Sequence, residues 1–260
     1  MASPEARMGA LVLKKTKLGE ADVIVHLMAE DGSAVRAVAK GARKPKNANS
    51  ATLELFNQVQ VTIIPGRSLG IAKDARLVER ADALRADPAR FAAASVVVEA
   101  ADAAIQPDLP ADRLFAMTCT AISCASDAPE DALPLLVAAY AFKQTALLGM
   151  RPSFSSCAIC GERVEERGGQ VRFSFADGGA VCRACAVATE TASADVRAVS
   201  LSDALVRSTF ADIVRMQPQS AAWDAAELAH SWLRHHLGAR MRSFASFKAI
   251  CGCSHVQAGV

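Results

Sequence analysis

Aromatic side chains are scarce in this chain of 260 residues: they make up 5% of it, and Phe56 is the only one in the first 80 positions. A surface that grips flat ligands by stacking them on several rings is therefore not expected in that region. Long apolar runs are also missing. The longest candidate, Leu133 to Phe142, stops at Lys143, well short of the roughly 18 residues that a membrane span requires. The first residues, Met1-Ala-Ser-Pro-Glu-Ala-Arg7, lead into a short apolar run closed by Lys14-Lys15, so no secretory signal is expected. There is no glycine-rich phosphate loop, and nucleotide hydrolysis is not indicated. None of the five histidines begins a His-x-Glu motif, which excludes the zinc deaminases. No Ser, Cys or His stands with a base in a recognisable catalytic set. The expectation is a non-enzymatic protein of a reducing, cytoplasmic setting.

What the chain does carry is a cysteine quartet, Cys157-x-x-Cys160 and Cys182-x-x-Cys185, with 21 residues between the pairs. Each Cys-x-x-Cys folds into a tight turn that aims two sulfurs at one point, and two such knuckles complete a tetrahedron around one zinc ion. Between them, Val171-Arg-Phe-Ser-Phe-Ala-Asp-Gly-Gly179 reads as a strand and a glycine turn that returns Cys182 to Cys160. Free thiols, disulfides or a redox pair are the alternatives on spacing alone, and a reducing compartment favours metal. A closed four-sulfur shell implies scaffolding, because catalytic zinc keeps a position open. The other cysteines carry less. Cys119 and Cys124 fall in a predicted helix as small hydrophobes, and Cys251-Gly-Cys253 has no nearby partners.

Net charge is +2, but it is unevenly spread: residues 1–80 hold 13 Lys and Arg against 8 Asp and Glu, while the remainder is net acidic. The same third of the chain reads as strands. Ala10 to Lys17, Asp22 to Met28, Ser33 to Ala39, Phe56 to Ile64 and Leu69 to Glu79 are short β-rich runs, with turns at Glu30-Asp-Gly-Ser33 and Pro65-Gly66. Five antiparallel strands in some seventy residues suggest a small closed barrel of the OB type. Beyond Arg80 the composition turns to alanine and leucine with helix punctuation, beginning at Asp87-Pro88. Helices are predicted near 88–105, 111–125, 130–147, 202–216, 220–237 and 239–251. The fold class is α+β. An N-terminal barrel domain spans 1–80, and an α-helical domain spans 81–260 with the zinc knuckle inserted at about 153–190.

Between the third and fourth strands lies Lys40-Gly-Ala-Arg43-Lys44-Pro-Lys46-Asn47, four positive charges in seven residues with no acid. A loop of this kind presents cations and amides to a phosphate backbone, although ordinary solvated lysines have the same look. Its place on a five-stranded barrel favours the first reading, because such barrels commonly hold single strands. Lys14, Lys15, Lys17, Arg36, Arg67 and Lys73 are candidates to extend the patch. With so few rings, contacts would go to phosphates, giving sequence-independent and salt-sensitive binding that leaves base edges free to pair. A protein-contact adaptor and an RNA-binding factor are the competing classes.

The run Gly9-Ala-Leu-Val-Leu-Lys-Lys-Thr-Lys-Leu-Gly-Glu-Ala-Asp-Val-Ile-Val-His-Leu-Met-Ala-Glu-Asp-Gly32, followed by Val38-Ala-Lys-Gly-Ala-Arg-Lys-Pro-Lys46, closely resembles the N-terminal domain of the bacterial RecO family of recombination mediators. The order of parts agrees too, down to a closing His236-Leu-Gly-Ala-Arg-Met-Arg-Ser243. The resemblance implies a protein of the RecF pathway, active in DNA damage repair and recombination. Such a protein binds single-stranded DNA, with duplex DNA left open, and anneals strands coated by single-stranded-DNA-binding protein. With RecR it helps load RecA, and it is found in the cytoplasm at the nucleoid. It assigns Lys40, Arg43, Lys44 and Lys46 to DNA and the four quartet cysteines to zinc. It also implies a slot for the acidic tail of the single-strand binder, for which Trp223, Trp232, Phe244, Arg240, Arg242 and Lys248 are candidates against the reading that they are helix core.

Overall fold

Alternation of side chains with period two builds the first half of the molecule. In the computed structural model, which describes residues 5–44, 47–66, 68–107, 109–238 and 241–252, strand β4 (Gln58–Ile64) alternates strictly between half-buried and buried residues. Strand β2 (Asp22–Ala29) likewise turns Val23, Val25 and Leu27 inward. With β1 (Ala6–Leu18), β3 (Ala34–Ala39) and β5 (Gly70–Glu79) they close a barrel in the order β1-β2-β3-β5-β4, β4 pairing back onto β1. The order is that of an OB-type barrel. One pairing departs from expectation: β3 and β5 run parallel, Ala37 against Gly70 and Val38 against Ile71. The reason is the intervening basic loop, helix α1 (Ala48–Thr52) and β4, which bring β5 to the barrel's closing seam from the same end as β3.

Barrel closure needs sharp local bends. The register of β1 shifts between Val12 and Lys14, so Leu13 is an extra residue that bends this long strand from its pairing with β4 into its pairing with β2. Phe56 takes a left-handed backbone conformation, φ 71°, at a cost of about 1 kcal/mol; its ring is 1% exposed, and burial of an aromatic of that size offsets the strain. Asn57 beside it is fully buried, and both ends of its amide are used. Its nitrogen donates to the carbonyls of Ala51 and Thr52, and its oxygen accepts from the Ala81 amide and Arg85.

Two compact units emerge: Met1–Asp87 with Val98–Ser126, and Pro88–Val97 with Asp127–Val260. In the first, α2 (Asp82–Ala86) follows the barrel, the C-terminal part of α3 (Pro88–Ala104) joins it, and α4 (Asp112–Asp127) adds a stripe of Leu114, Thr118, Ala121, Ile122 and Ala125. The chain after α3 is pinned to the β2–β3 turn, where Ala34 donates to the Gln106 carbonyl and Ala111 to that of Asp31. In the second unit α5 (Leu133–Leu147) is buried on nearly every side and packs against α6 (Val196–Arg207), α7 (Phe210–Ile213) and α8 (Ala222–Leu237). Helix α9 (Arg242–Cys251) closes the described chain. The helix expected over 202–216 is two: it starts at Val196 under an Asp195 cap and breaks at Ser208, where Thr209 caps the short α7. No helix among the described residues is long and apolar enough to cross a membrane.

Candidate nucleic-acid interface and metal centre

Residues 40–44 of the basic loop are held by hydrogen bonds to neighbouring segments. Gly41 takes φ 64°, a conformation that disfavours a side chain, and its amide donates to the Asp22 carboxylate at 2.7 Å. Arg43 ties the loop to the β1–β2 turn twice, its amide to the Ala21 carbonyl and its guanidinium to that of Gly19 at 3.0 Å. Asn47 returns its side-chain nitrogen to the Lys40 carbonyl and caps α1 with its oxygen. Lys40, Arg43 and Lys44 all face solvent. Lys17 joins them by register: it lies opposite Val23, which lies opposite Ala39, the residue before Lys40. Further along the same strands, Lys14, His26 and Arg36 form a second cross-strand row on the barrel exterior.

Not every expected cation is available. Lys15 is ion-paired with Glu54 at 2.6 Å and Lys73 with Glu5 at 2.7 Å, so their charge is already met. Lys46 and Arg67 lie outside the described residues. The partnerships span 39 and 68 positions, and local sequence carries no sign of them. His26 sits between Lys14 and Arg36 with Nδ1 3.5 Å from Asp102 of α3. Burial pushes its imidazole pKa down against the pull of Asp102, and Arg36 and Lys14 push the same way as burial. The only Phe, Tyr or Trp of residues 1–80, Phe56, is in the core and offers no face to a base.

The cysteines meet on the second unit. Strand β6 (Gln170–Ser174) pairs with β7 (Gly179–Val181) on one side and β8 (Ala192–Asp195) on the other. That sheet delivers Cys182 to the knuckle of Cys157 and Cys160, where Gly161 at φ 80° completes the turn and donates to the Cys157 carbonyl. All four sulfurs lie within 4.8 Å of one another, Cys160 and Cys182 at 3.7 Å. Bonds of about 2.3 Å to a tetrahedral centre put sulfurs about 3.8 Å apart, so the set fits one metal ion. Burial opposes ionisation of Cys157, but the amides of Cys182, Cys160 and Ile159 hold its pKa down at about 6. Once it is a thiolate, its neighbours resist following: hydrogen bonding with Cys160 and Cys182 pushes Cys185 up to about 12. A dication resolves that repulsion, which is why such a cluster takes metal and releases protons.

Around it the packing is aromatic. Phe154 meets Phe142 of α5 edge-on at 5.2 Å, and Phe173 of β6 meets Trp232 of α8 at 5.8 Å. Trp232 in turn donates to Thr145 and to the Met150 carbonyl. The residues suggested for an acidic tail do not form an open slot: Trp232 and Phe244 are core, Trp223 packs on Phe247, and Lys248 is paired with Glu227. Arg240 lies outside the described residues, as does Cys253. Cys119 is half-buried in α4, and burial pushes its thiol pKa up to about 12, the behaviour of an inert core thiol.

A closed OB-type barrel, a helical unit and a four-thiol centre on a small sheet define the class: an OB-barrel protein whose helical domain carries a four-cysteine cluster able to hold a metal ion. Family models for the N and C termini of Recombination protein O match residues 1–81 and 85–244. The chain is similar to the DNA repair protein RecO of Symbiobacterium thermophilum, 33% identical over 175 residues that cover 67% of this chain and 69% of that one. It is also similar to the DNA repair protein RecO of Desulfitobacterium hafniense strain DCB-2, 34% identical over 177 residues covering 68% and 63%. The matched stretch thus spans about two thirds of each relative. The chain belongs to the RecO family of DNA repair and recombination proteins.

Proposed function

We propose that this protein is a recombination mediator of the RecF pathway that holds single-stranded DNA by its phosphates and anneals complementary strands coated by single-stranded-DNA-binding protein. With RecR it then helps load RecA, without bond-making chemistry of its own. The observation that carries the reading is the end of the barrel where Lys17, Lys40, Arg43 and Lys44 face solvent while Phe56, the only Phe, Tyr or Trp of residues 1–80, is buried. Cations without stacking platforms grip a backbone and leave base edges free to find a complement. Lys14 and Arg36 extend that surface, and Lys46 and Arg67 belong to the same proposal. The barrel domain at 1–80 is the DNA-binding part, and the helical domain at 81–260 carries the metal.

Zinc is the ion we assign to Cys157, Cys160, Cys182 and Cys185. Four thiolates at tetrahedral spacing suit it, and a full sulfur shell leaves it a structural staple. The protein would act in the cytoplasm at the nucleoid.

Fluorescence anisotropy of labelled single strands across a salt series tests the reading. Log affinity should fall with log salt by about 0.7 per phosphate contacted, and Lys44→Glu should lower affinity and slope together. No binding at low salt would sink it, and strong preference for RNA would replace it with an RNA-binding function.

A further inference from the structure

The three-stranded sheet next to the metal centre has an exposed face whose charge has no partner. Residues Gly168 and Gly169 both take positive φ, 60° and 75°, the geometry of a two-residue hairpin turn. Across it the Arg167 amide donates to the Gln170 carbonyl at 2.9 Å and the Gln170 amide to that of Arg167 at 3.2 Å. Directly opposed residues share a face, and so do residues two apart on a strand. Arg167, Gln170 and Arg172 therefore project together, while Val171 and Phe173 turn into the core. Register adds Ser193 of β8, opposite Arg172.

These side chains line a cleft of about 380 Å³ together with Thr191, and no carboxylate lines it. Asp195, opposite Gln170 by register, is held bidentately by Arg197 at 3.1 and 2.9 Å, and that guanidinium holds its pKa down at about 2. Arg167 and Arg172, by contrast, make no ion pair among the described residues and stand in solvent. Ser193 donates to the Gln170 side-chain oxygen at 2.9 Å, which leaves the amide nitrogen to donate outward. The cleft thus offers two guanidiniums and an amide, all donors, with no ring for a base to stack on.

We propose that this face is a second phosphate-binding surface, which takes the sugar-phosphate backbone of a nucleic acid strand separately from the barrel. Paired arginines match phosphate oxygens geometrically, and Arg167 across the turn with Arg172 along β6 spreads them over the face, which suits a run of phosphates rather than a single small anion. The inference rests on the proposed DNA-binding function and deepens it: a second surface on the same protein would bring the complementary strand close to the one held on the barrel.

Zinc-loaded full-length protein is mixed with a donor-labelled and an acceptor-labelled oligothymidine, which cannot pair, and energy transfer reports bridging. Wild type should bridge them. Arg167→Glu with Arg172→Glu should cut bridging at least about tenfold and lower the anisotropy salt slope by about 1.4, the loss of two phosphate contacts. Arg167→Lys with Arg172→Lys should keep most of both, and unchanged zinc content would show that the variants fold. If wild type binds one strand without bridging, or the Glu variant bridges as well as wild type, the second surface is overturned while the barrel reading stands. If wild type binds no strand, the barrel reading itself has failed. Unchanged DNA handling with loss of binding to a polyglutamate peptide would overturn the proposal in favour of a protein contact.

Discussion

The barrel and the four-cysteine sheet are both small β structures, yet they differ in how much apolar burial holds them. The barrel closes all five strands on one another around 13 buried core residues among those described, enough apolar burial at about 1.5 to 3 kcal/mol for each large side chain to stand without a staple. The four-cysteine sheet has strands of five, three and four residues; Val171 and Phe173 bury one face of it, but the cluster beneath the knuckle loops is only Cys157, Val181 and Ala186 among the described residues. Loops with so little apolar burial need another tie, and a metal ion on the four thiols would supply it. Both regions mix paired and unpaired cations: Lys15 and Lys73 have acidic partners in the barrel, as Arg197, Arg207 and Lys248 have in the helical unit, while Lys17, Lys40 and Lys44 in the one and Arg167 and Arg172 in the other stand in solvent.

Metal removal breaks the comparison most directly. Chelation, or Cys160→Ala, should unfold the knuckles and lower the melting temperature by about 10 °C or more, since structural zinc contributes several kcal/mol. Calorimetry should show the loss in one transition while the barrel's amides keep their hydrogen-exchange protection. If barrel and sheet melt together unchanged, the burial of Val171 and Phe173 against the helices suffices and the metal is not what holds the knuckles.

Glycine substitutions sharpen the contrast. At Gly32 φ is 83° and a Cβ would stand 2.2 Å from the Ala111 backbone, so Gly32→Ala should cost about 3 kcal/mol or more through strain and displacement of the 106–111 segment. Gly168, at φ 60° with open space around it, should cost only about 1 kcal/mol. Urea midpoints for the two variants would measure the difference; equal losses would mean that the close approach at Gly32 is not maintained in solution.

These positions also show what could be read without coordinates. The period-two runs of β2 and β4 and the Cys-x-x-Cys spacing announced the barrel and the four-cysteine cluster, because each follows from local geometry alone. The parallel pairing of β3 with β5, the strand Ala192–Asp195 and the helix over Ala48–Thr52 did not announce themselves. Ala-Ser-Ala-Asp has no β-branched residue and becomes a strand only because β6 offers it a partner. Which cations remain for a ligand was equally hidden. Lys15 and Lys73 look no different from Lys14 and Lys17 until Glu54 and Glu5 arrive from other parts of the chain.

Charge reversal exploits that distinction. Lys44→Glu should weaken single-strand binding several-fold at low salt, while swapping the pair, Lys73→Glu with Glu5→Lys, should change it less than twofold, because the pair stays neutral as it is in the wild type. Anisotropy titrations of both variants compare them directly. Equal losses would mean that the ion pair opens when a strand binds.

The smallest effect expected is on pH dependence, and it again separates the units. Burial lowers the His26 pKa in the barrel unit, with Asp102 opposing and Arg36 and Lys14 assisting. Burial lowers that of His236 in the other unit, with His235 adding to it. A histidine whose folded pKa lies below its unfolded value of 6.5 is protonated first in the unfolded chain. Its stabilisation is therefore complete above pH 6.5 and is lost as pH falls through the folded pKa. Between pH 7.5 and 5 the wild type should lose stability, and His26→Gln should flatten part of that slope by removing the proton that the row of Lys14 and Arg36 resists. Urea midpoints at pH 5, 6 and 7.5 would show it. A steeper slope in the variant would mean that Asp102 outweighs burial and that His26 is held charged, which would make it one more cation on the outer face of the barrel.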